Sequence, residues 1–356
     1  MFEGFYPARC CRVCSVCFKC VDHHATEPVP SEVREDLLEE ILGGNPKGLQ
    51  HRLVQMLQVA EGMTMRARET DPLMKVVMRS AMGQEAGSAF SGYYNVPEAR
   101  LNDRDFRTTL CLRMGYPVLN GKVDQDERCP SCHHHAGLTG WHATSCTGAS
   151  MNGHTRRHTE VADAATRNMR KEFSSGISVH GTPHYAEYFP PQNVAPAGSA
   201  KRIVKGDVAI SSEQKNYLLD YSVKSFSKNV MEAASKTTGA LAKDAEDRKI
   251  KEVNHHWVVP PNQQYMLVPF VVEVTGALGA RARNFLRVIS HASDQHSNGS
   301  NPSGPLGAQR DEIEGRNARE SAIWRVKQCI AAAVHRQNAW DVQSYVRLLS
   351  AALPAQ

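Results

Sequence analysis

The stretch 129–146, CPSCHHHAGLTGWHATSC, constrains the fold of this chain more than any other. Cys129 and Cys132 enclose two residues, the short turn that lets two thiolates face one ion. His142 follows after nine residues and Cys146 after three more. Three sulfurs and one imidazole nitrogen make a closed tetrahedral shell for Zn²⁺, and a closed shell is structural because no position is left for substrate. Such ligands have to converge, so the segment must fold back around one point. His133, His134 and His135 compete for the fourth position. Without a metal, the same residues would be free thiols beside a surface histidine run.

Ten cysteines are present, eight of them in this set and in a dense N-terminal cluster. The opening MFEGFYPARCCRVCSVC has no apolar core of a secretion signal, so an intracellular setting is expected and metal is favoured over disulfides. Residues 10–24 pack five cysteines and two histidines. A second zinc set can be drawn from Cys11, Cys14, Cys17, Cys20, His23 and His24, although the spacing is tighter than two ordinary Cys-x-x-Cys pairs require. The alternative for 1–30 is a flexible thiol-rich leader. No run approaches the roughly 18–20 apolar residues of a membrane span, so no membrane partner is expected. A net charge of +5 is compatible with a polyanionic partner without demanding one.

Periodicity divides the rest. Over 31–100 a helical region is expected: Ser31 can cap a helix with Leu38, Ile41 and Leu42 on one face, and Leu49, Leu53, Met56 and Leu57 mark another. A zinc-knuckle segment occupies 101–155, beginning with a short helix. In the expected core, 156–290, Val161, Ala165, Met169 and Phe173 share one helix face. GDVAI and YLLDYSV read as strands joined into a hairpin by SSEQKN. An alanine-rich helix from about Lys228 to His255, a buried strand YMLVPFVVEVTG and a helix ARARNFLRVIS complete it. The Ser/Asn/Gly/Pro-rich 291–310 reads as a polar linker or exposed loop, and 311–356 as C-terminal helices with Ile323, Val326, Ile330 and Val334 on their stripe.

Asp207 heads GDVAI and Asp220 ends YLLD. In a hairpin the two carboxylates come together at one end of the sheet and can hold Mg²⁺ or Mn²⁺, which activates water and neutralises charge on a phosphodiester. A lysine is wanted beside them. Two places after Asp220 stands Ser222, so the lysine must come from the following helix. Lys249 continues the face of Leu241 and Ala245 and is the first choice; Lys251 is the alternative. Both lysines can instead simply solvate a helix end in EDRKIKE.

Taken in order, these features resemble the C-terminal region of site-specific non-LTR retrotransposon proteins that carry a restriction-enzyme-like endonuclease. The resemblance spans roughly 70–350. LNDRDFRTTLCLRMGYPV is similar to the segment before the family's zinc knuckle, and Cys129, Cys132, His142 and Cys146 match the knuckle. RRHTEV resembles the family's Arg-His-Asn motif through Arg157 and His158, with Thr159 in place of Asn. KGDVAI stands where the family has a Pro-Asp strand, LLDYSV where it has Asp-x-x-Val, and FVVEVTGALG, with Glu273, Gly276 and Gly279, where it has a late strand and glycine turn. The resemblance implies an α/β PD-(D/E)XK core, a mixed sheet flanked by helices, with a Cys-Cys-His-Cys knuckle and helical extensions at both ends. It implies Mg²⁺-dependent hydrolysis of DNA in a nuclear setting, with RNA a second candidate partner. Asp207 and Asp220 would hold the metal and Lys249 would assist water. Arg157 and His158 would contact phosphate or support the site, with Glu160 a further acid and Glu273 in support. No Tyr/Phe-Ala-Asp-Asp box of a reverse transcriptase occurs. Two other readings share these residues: a nucleic-acid-binding relic without catalysis, and a zinc-stabilised scaffold for protein contacts.

Overall fold

Four apolar runs pair into one mixed sheet of order β1-β2-β3-β4, formed by Ile177–His180, Val208–Ser212, Asn216–Lys224 and Tyr265–Glu273. The computed structural model describes residues 69–81, 86, 88–90, 96–116, 118–119, 128–135, 137, 139–146, 148, 153–189, 206–213, 215–226, 234, 237, 239–258, 265–297 and 305–352. The Cys/His-rich leader and the helices expected over 31–57 lie outside these residues. The chain divides into two units, Met1–Asp71 and Pro72–Gln356, and the account below concerns the second.

β1 pairs antiparallel with β2, and β2 antiparallel with β3, where Val208 faces Leu219 and Ala209 faces Leu218. β4 runs parallel to β3, placing Pro269 opposite Asp220. Pro269 is tolerated because β4 is the edge strand of the sheet among the described residues. Side chains alternate between the two faces of the sheet. Val208, Ile210, Tyr217, Leu219, Tyr221, Val268, Phe270 and Val272 point to one face and form the largest core. Ala209, Leu218, Leu267 and Val271 point to the other.

Seven helices are described: α1 (Pro72–Ala81), α2 (Asp103–Met114), α3 (Trp141–Ser145), α4 (Gly153–Glu172), α5 (Ala240–His256), α6 (Ala280–Ser297) and α7 (Pro305–Ala352). α4 buries Val161, Ala165 and Met169 on the first face of the sheet, with α6 and α7 beside it, and Phe173 directly after α4 joins the same core. α5 is the crossover between the parallel strands β3 and β4, and it covers the second face with Ala242, Ala245 and Val253. The result is a mixed α/β fold with helices on both faces of the sheet.

Two expectations need correction. The polar stretch 291–310 is not a linker or loop along its length, because α6 continues to Ser297 and α7 starts at Pro305. The expected C-terminal helices are one helix of 48 residues, about 72 Å long at 1.5 Å per residue. Its run Ala331, Ala332, Ala333 lets it pass close to the turn after β4. A Cβ on Gly276, whose φ is +88°, would come 3.1 Å from the Ala331 Cβ, so the turn demands glycine for both its conformation and its space.

Candidate functional site

The knuckle residues converge. The ligand atoms of Cys129, Cys132, His142 and Cys146 all lie within 4.8 Å of one another. Cys129 Sγ is 3.7 Å from Cys146 Sγ, and Cys132 Sγ is 3.3 Å from His142 Nε2. With Zn–S near 2.3 Å and Zn–N near 2.0 Å, the edges of a tetrahedral shell are about 3.8 Å and about 3.5 Å. The donor set and its dimensions therefore fit a structural metal such as zinc.

Local geometry explains the convergence. The Cys129 N–H donates to the His134 carbonyl, and the His133 N–H donates to the Cys129 carbonyl, each at 2.8 Å. His133 takes a positive φ of 60° to close that turn. Gly140, with φ +79°, starts α3, and α3 places His142 and then Cys146 one turn apart. Cys129, Trp141, Ala143 and Cys146 pack with Met74, Leu112, Val342, Tyr345 and Leu349 into one apolar cluster. Trp141 Nε1 donates to the Leu112 carbonyl at 2.9 Å. The knuckle is thus built into the core between α1, α2 and α7, as a staple rather than an exposed finger.

The second cluster forms where β2 begins. The Asp207 N–H donates at 2.9 Å to the carbonyl of Leu219, the residue paired with Val208, which fixes Asp207 at the start of β2 against the strand that carries Asp220. Asp207 Oδ2 accepts from the Tyr221 N–H at 2.6 Å and lies 3.2 Å from His158 Nε2. Asp220 Oδ1 pairs with Lys249 Nζ. Lys249 stands one turn before buried Val253 and one turn after buried Ala245, so α5 aims it at the sheet, whereas Lys251 is exposed. Asp207 Oδ1 and Asp220 Oδ2 accept no hydrogen bond among the described residues. Carboxylate oxygens of this kind are the donor type that Mg²⁺ takes.

The electrostatics separate the two acids. Burial pushes Asp207 up, but the His158 hydrogen bond, the His158 charge and the Tyr221 N–H outweigh it and hold the carboxyl below its ordinary value. Burial dominates at Asp220 and raises it, with Lys249 opposing and Asp207 adding. His158 is raised, first by its hydrogen bond to Asp207 and against its own burial.

The remaining expected residues stand elsewhere. Arg157 is 1% exposed and cannot reach a phosphate, which corrects one of the two roles expected of it. Its guanidinium pairs with Asp341 Oδ2 at 2.5 Å, donates to the Thr144 carbonyl at 2.9 Å and to Ser225 Oγ at 3.1 Å. It therefore ties α4 to α7, to α3 between two knuckle ligands, and to the exit of β3. Glu160 is exposed on α4 and does not join the acid pair: two residues from His158 is a rotation of about 200°. Glu273 is buried at the end of β4. Its Oε1 accepts from the Ala242 N–H at 3.1 Å in the first turn of α5, and its Oε2 accepts from Ser80 Oγ. Burial raises its carboxyl, and Ser80 and the Ala242 N–H oppose that. Glu273 anchors the helix that carries Lys249 and does not line the acid pair.

Sequence reasoning missed Asp341, Tyr185 and Tyr345. Tyr185, in a 3₁₀ turn after β1, is fully buried among Ala209, Leu218, Val253 and Trp257 on the Asp220 face, and its Oη has no hydrogen-bond partner among the described residues. Burial first, then the charges of Asp220 and Asp207, raise its hydroxyl.

Compared with protein-family models and with curated proteins, the chain matches none. Among the described residues, no helix is long and apolar enough to cross a membrane.

Proposed function

We propose that the protein is a metal-dependent DNA endonuclease with a PD-(D/E)XK core. The observation that carries this reading is the meeting of Asp207, Asp220, Lys249 and His158 at one end of β2, from four separate elements. A mixed sheet flanked by helices agrees with the core that the resemblance implies. Mg²⁺ or Mn²⁺ held by Asp207 and Asp220 would supply a Lewis acid at the scissile phosphate.

The chain's own residues divide the rest of the work. Lys249 opposes the effect of burial on the Asp220 carboxyl. Its ammonium carries further donors for the attacking water or a phosphate oxygen. His158 and the Tyr221 N–H fix the orientation of the Asp207 carboxylate. Water adds to phosphorus and one P–O ester bond breaks, leaving a phosphate and a hydroxyl terminus.

The test is nicking of supercoiled plasmid by the full chain with Mg²⁺ or Mn²⁺. Asp207→Asn and Asp220→Asn should each lower the rate roughly a hundredfold or more, the scale of losing one group aimed at developing charge. Undiminished nicking by Asp220→Asn would sink the proposed site. Salt-sensitive retention of DNA without cleavage by the wild type would favour the binding-only reading.

A further inference from the structure

The knuckle has an electrostatic problem that its four ligands do not solve. Three thiolates around one Zn²⁺ carry a net charge of about −1, and Cys129 and Cys146 are buried. A buried anion is tolerated only where donors are aimed at it. The turn supplies some: the Ser131 and Cys132 N–H groups serve Cys129, and the Gly148 N–H serves Cys146. On the other side stands α7.

From α7, Tyr345 enters the same apolar cluster as Cys129 and Cys146. It is fully buried, and its ring centre lies 5.6 Å from that of His142. Its Oη is shut away from water and, among the described residues, makes no hydrogen bond of good geometry. Cys129 is the side chain that it approaches as a hydrogen-bond partner. An unpartnered buried hydroxyl is destabilising, so packing alone would favour phenylalanine here. The hydroxyl has a use once the sulfurs carry charge. One turn earlier on the same helix, Asp341 reaches the knuckle through Arg157 and the Thr144 carbonyl. α7 therefore grips the centre at two points.

We propose that Tyr345 is a positioning residue of the metal centre, its hydroxyl donating to the Cys129 thiolate when zinc is bound. This rests on the Cys₃His set holding a metal. The hydrogen bond would offset part of the buried negative charge and orient Cys129, as outer-shell donors do for metal ligands generally.

The experiment uses the full chain, with zinc counted first and then titrated against a competing chelator. Tyr345→Phe removes only the oxygen. It should weaken zinc binding about tenfold, the lower end of what outer-shell partners contribute. In Co²⁺-substituted protein the thiolate-to-metal band should move to longer wavelength, because a sulfur that loses a hydrogen bond gives up an electron more easily. The metal-free variant should melt no lower than the metal-free wild type. Unchanged zinc affinity with an unmoved cobalt band overturns the proposal. So does weaker zinc binding with an unmoved band and a lower melting point without metal, which is lost packing. A wild type that binds no zinc removes the metal reading itself and the proposal with it. Wild-type protein carrying fluorotyrosine, a stronger donor, gives an independent reading: its cobalt band should move to shorter wavelength, and an unmoved band overturns the proposal even if Tyr345→Phe does not fold.

Discussion

Replacing Asp341 by alanine separates the two roles that the sequence allows Arg157. Asp341 is wholly buried and Arg157 is 1% exposed. The carboxylate accepts from Arg157 at 2.5 Å and from Gln337 Nε2 at 3.0 Å. It also faces the start of α4, where a Cβ on Gly153 would come 2.9 Å from Oδ1, so the positive end of that helix dipole adds to its stabilisation. In Asp341→Ala the guanidinium keeps the Thr144 carbonyl and Ser225 Oγ but loses its nearest counter-charge at no gain in solvent. Breaking one side of a buried ion pair costs about 3–5 kcal/mol. At about 2–4 °C per kcal/mol for a domain of this size, the melting temperature should fall by roughly 6–20 °C. Arg157→Met combined with Asp341→Leu should recover most of that loss, since no buried charge is then left alone. Thermal and urea unfolding of the three proteins provide the measurement. A stability of Asp341→Ala within about 1 kcal/mol of wild type would show that the pair carries no such cost. The reasoning fails equally if Arg157→Ala keeps full stability yet lowers the salt slope of DNA binding by about one, the signature of a phosphate contact.

The lysines should separate in the nicking assay. Lys249→Ala is expected to lose roughly a hundredfold in rate while Lys251→Ala stays near wild type; equal losses would mean that α5 presents another face to the acids. The His158–Asp207 pair gives a pH signature. The raised His158 contributes fully below its ordinary 6.5 and is lost as pH climbs through its higher folded value. The lowered Asp207 contributes above its ordinary 3.8 and is lost as pH falls through its lower folded value. Both contributions are therefore complete between about pH 4 and 6.5. An NMR titration of His158 should show its pKa falling in Asp207→Asn, and an unchanged value would show that the contact does not exist in solution.

Local pattern carried much of this fold, and long range hid the rest. The stripe Val161, Ala165, Met169, Phe173 is buried as its period requires. The two runs around SSEQKN pair as β2 and β3, because the register that buries Ile210 and Leu219 is fixed by alternation. β1 escaped notice: ISVH is four residues long, and its alternating half-exposed pattern is too short to distinguish from a loop. The polar composition of 291–310 pointed to a linker, yet helical backbone runs into it from both sides. The knuckle could be read because its ligands lie within eighteen residues. Asp341 could not, since 184 residues separate it from Arg157 and no local period links them.

Arg157 and His158 show most clearly what adjacency in a motif does and does not mean. Neighbours on a helix point about 100° apart. α4 therefore sends Arg157 into the buried junction with α7 and α3, and His158 outward to the half-exposed Asp207. Two residues that look like one phosphate-binding pair in the sequence do different jobs, one joining elements and one orienting a carboxylate. The separation also connects the two clusters. Thr144, which lies between His142 and Cys146, accepts from both Arg157 and Ser225. Those donors lie next to His158 and at the exit of the strand that carries Asp220. A shift of α3 after metal loss would act first on the two segments that position the acid pair. The knuckle is thereby hydrogen-bonded to both segments that flank the acid pair.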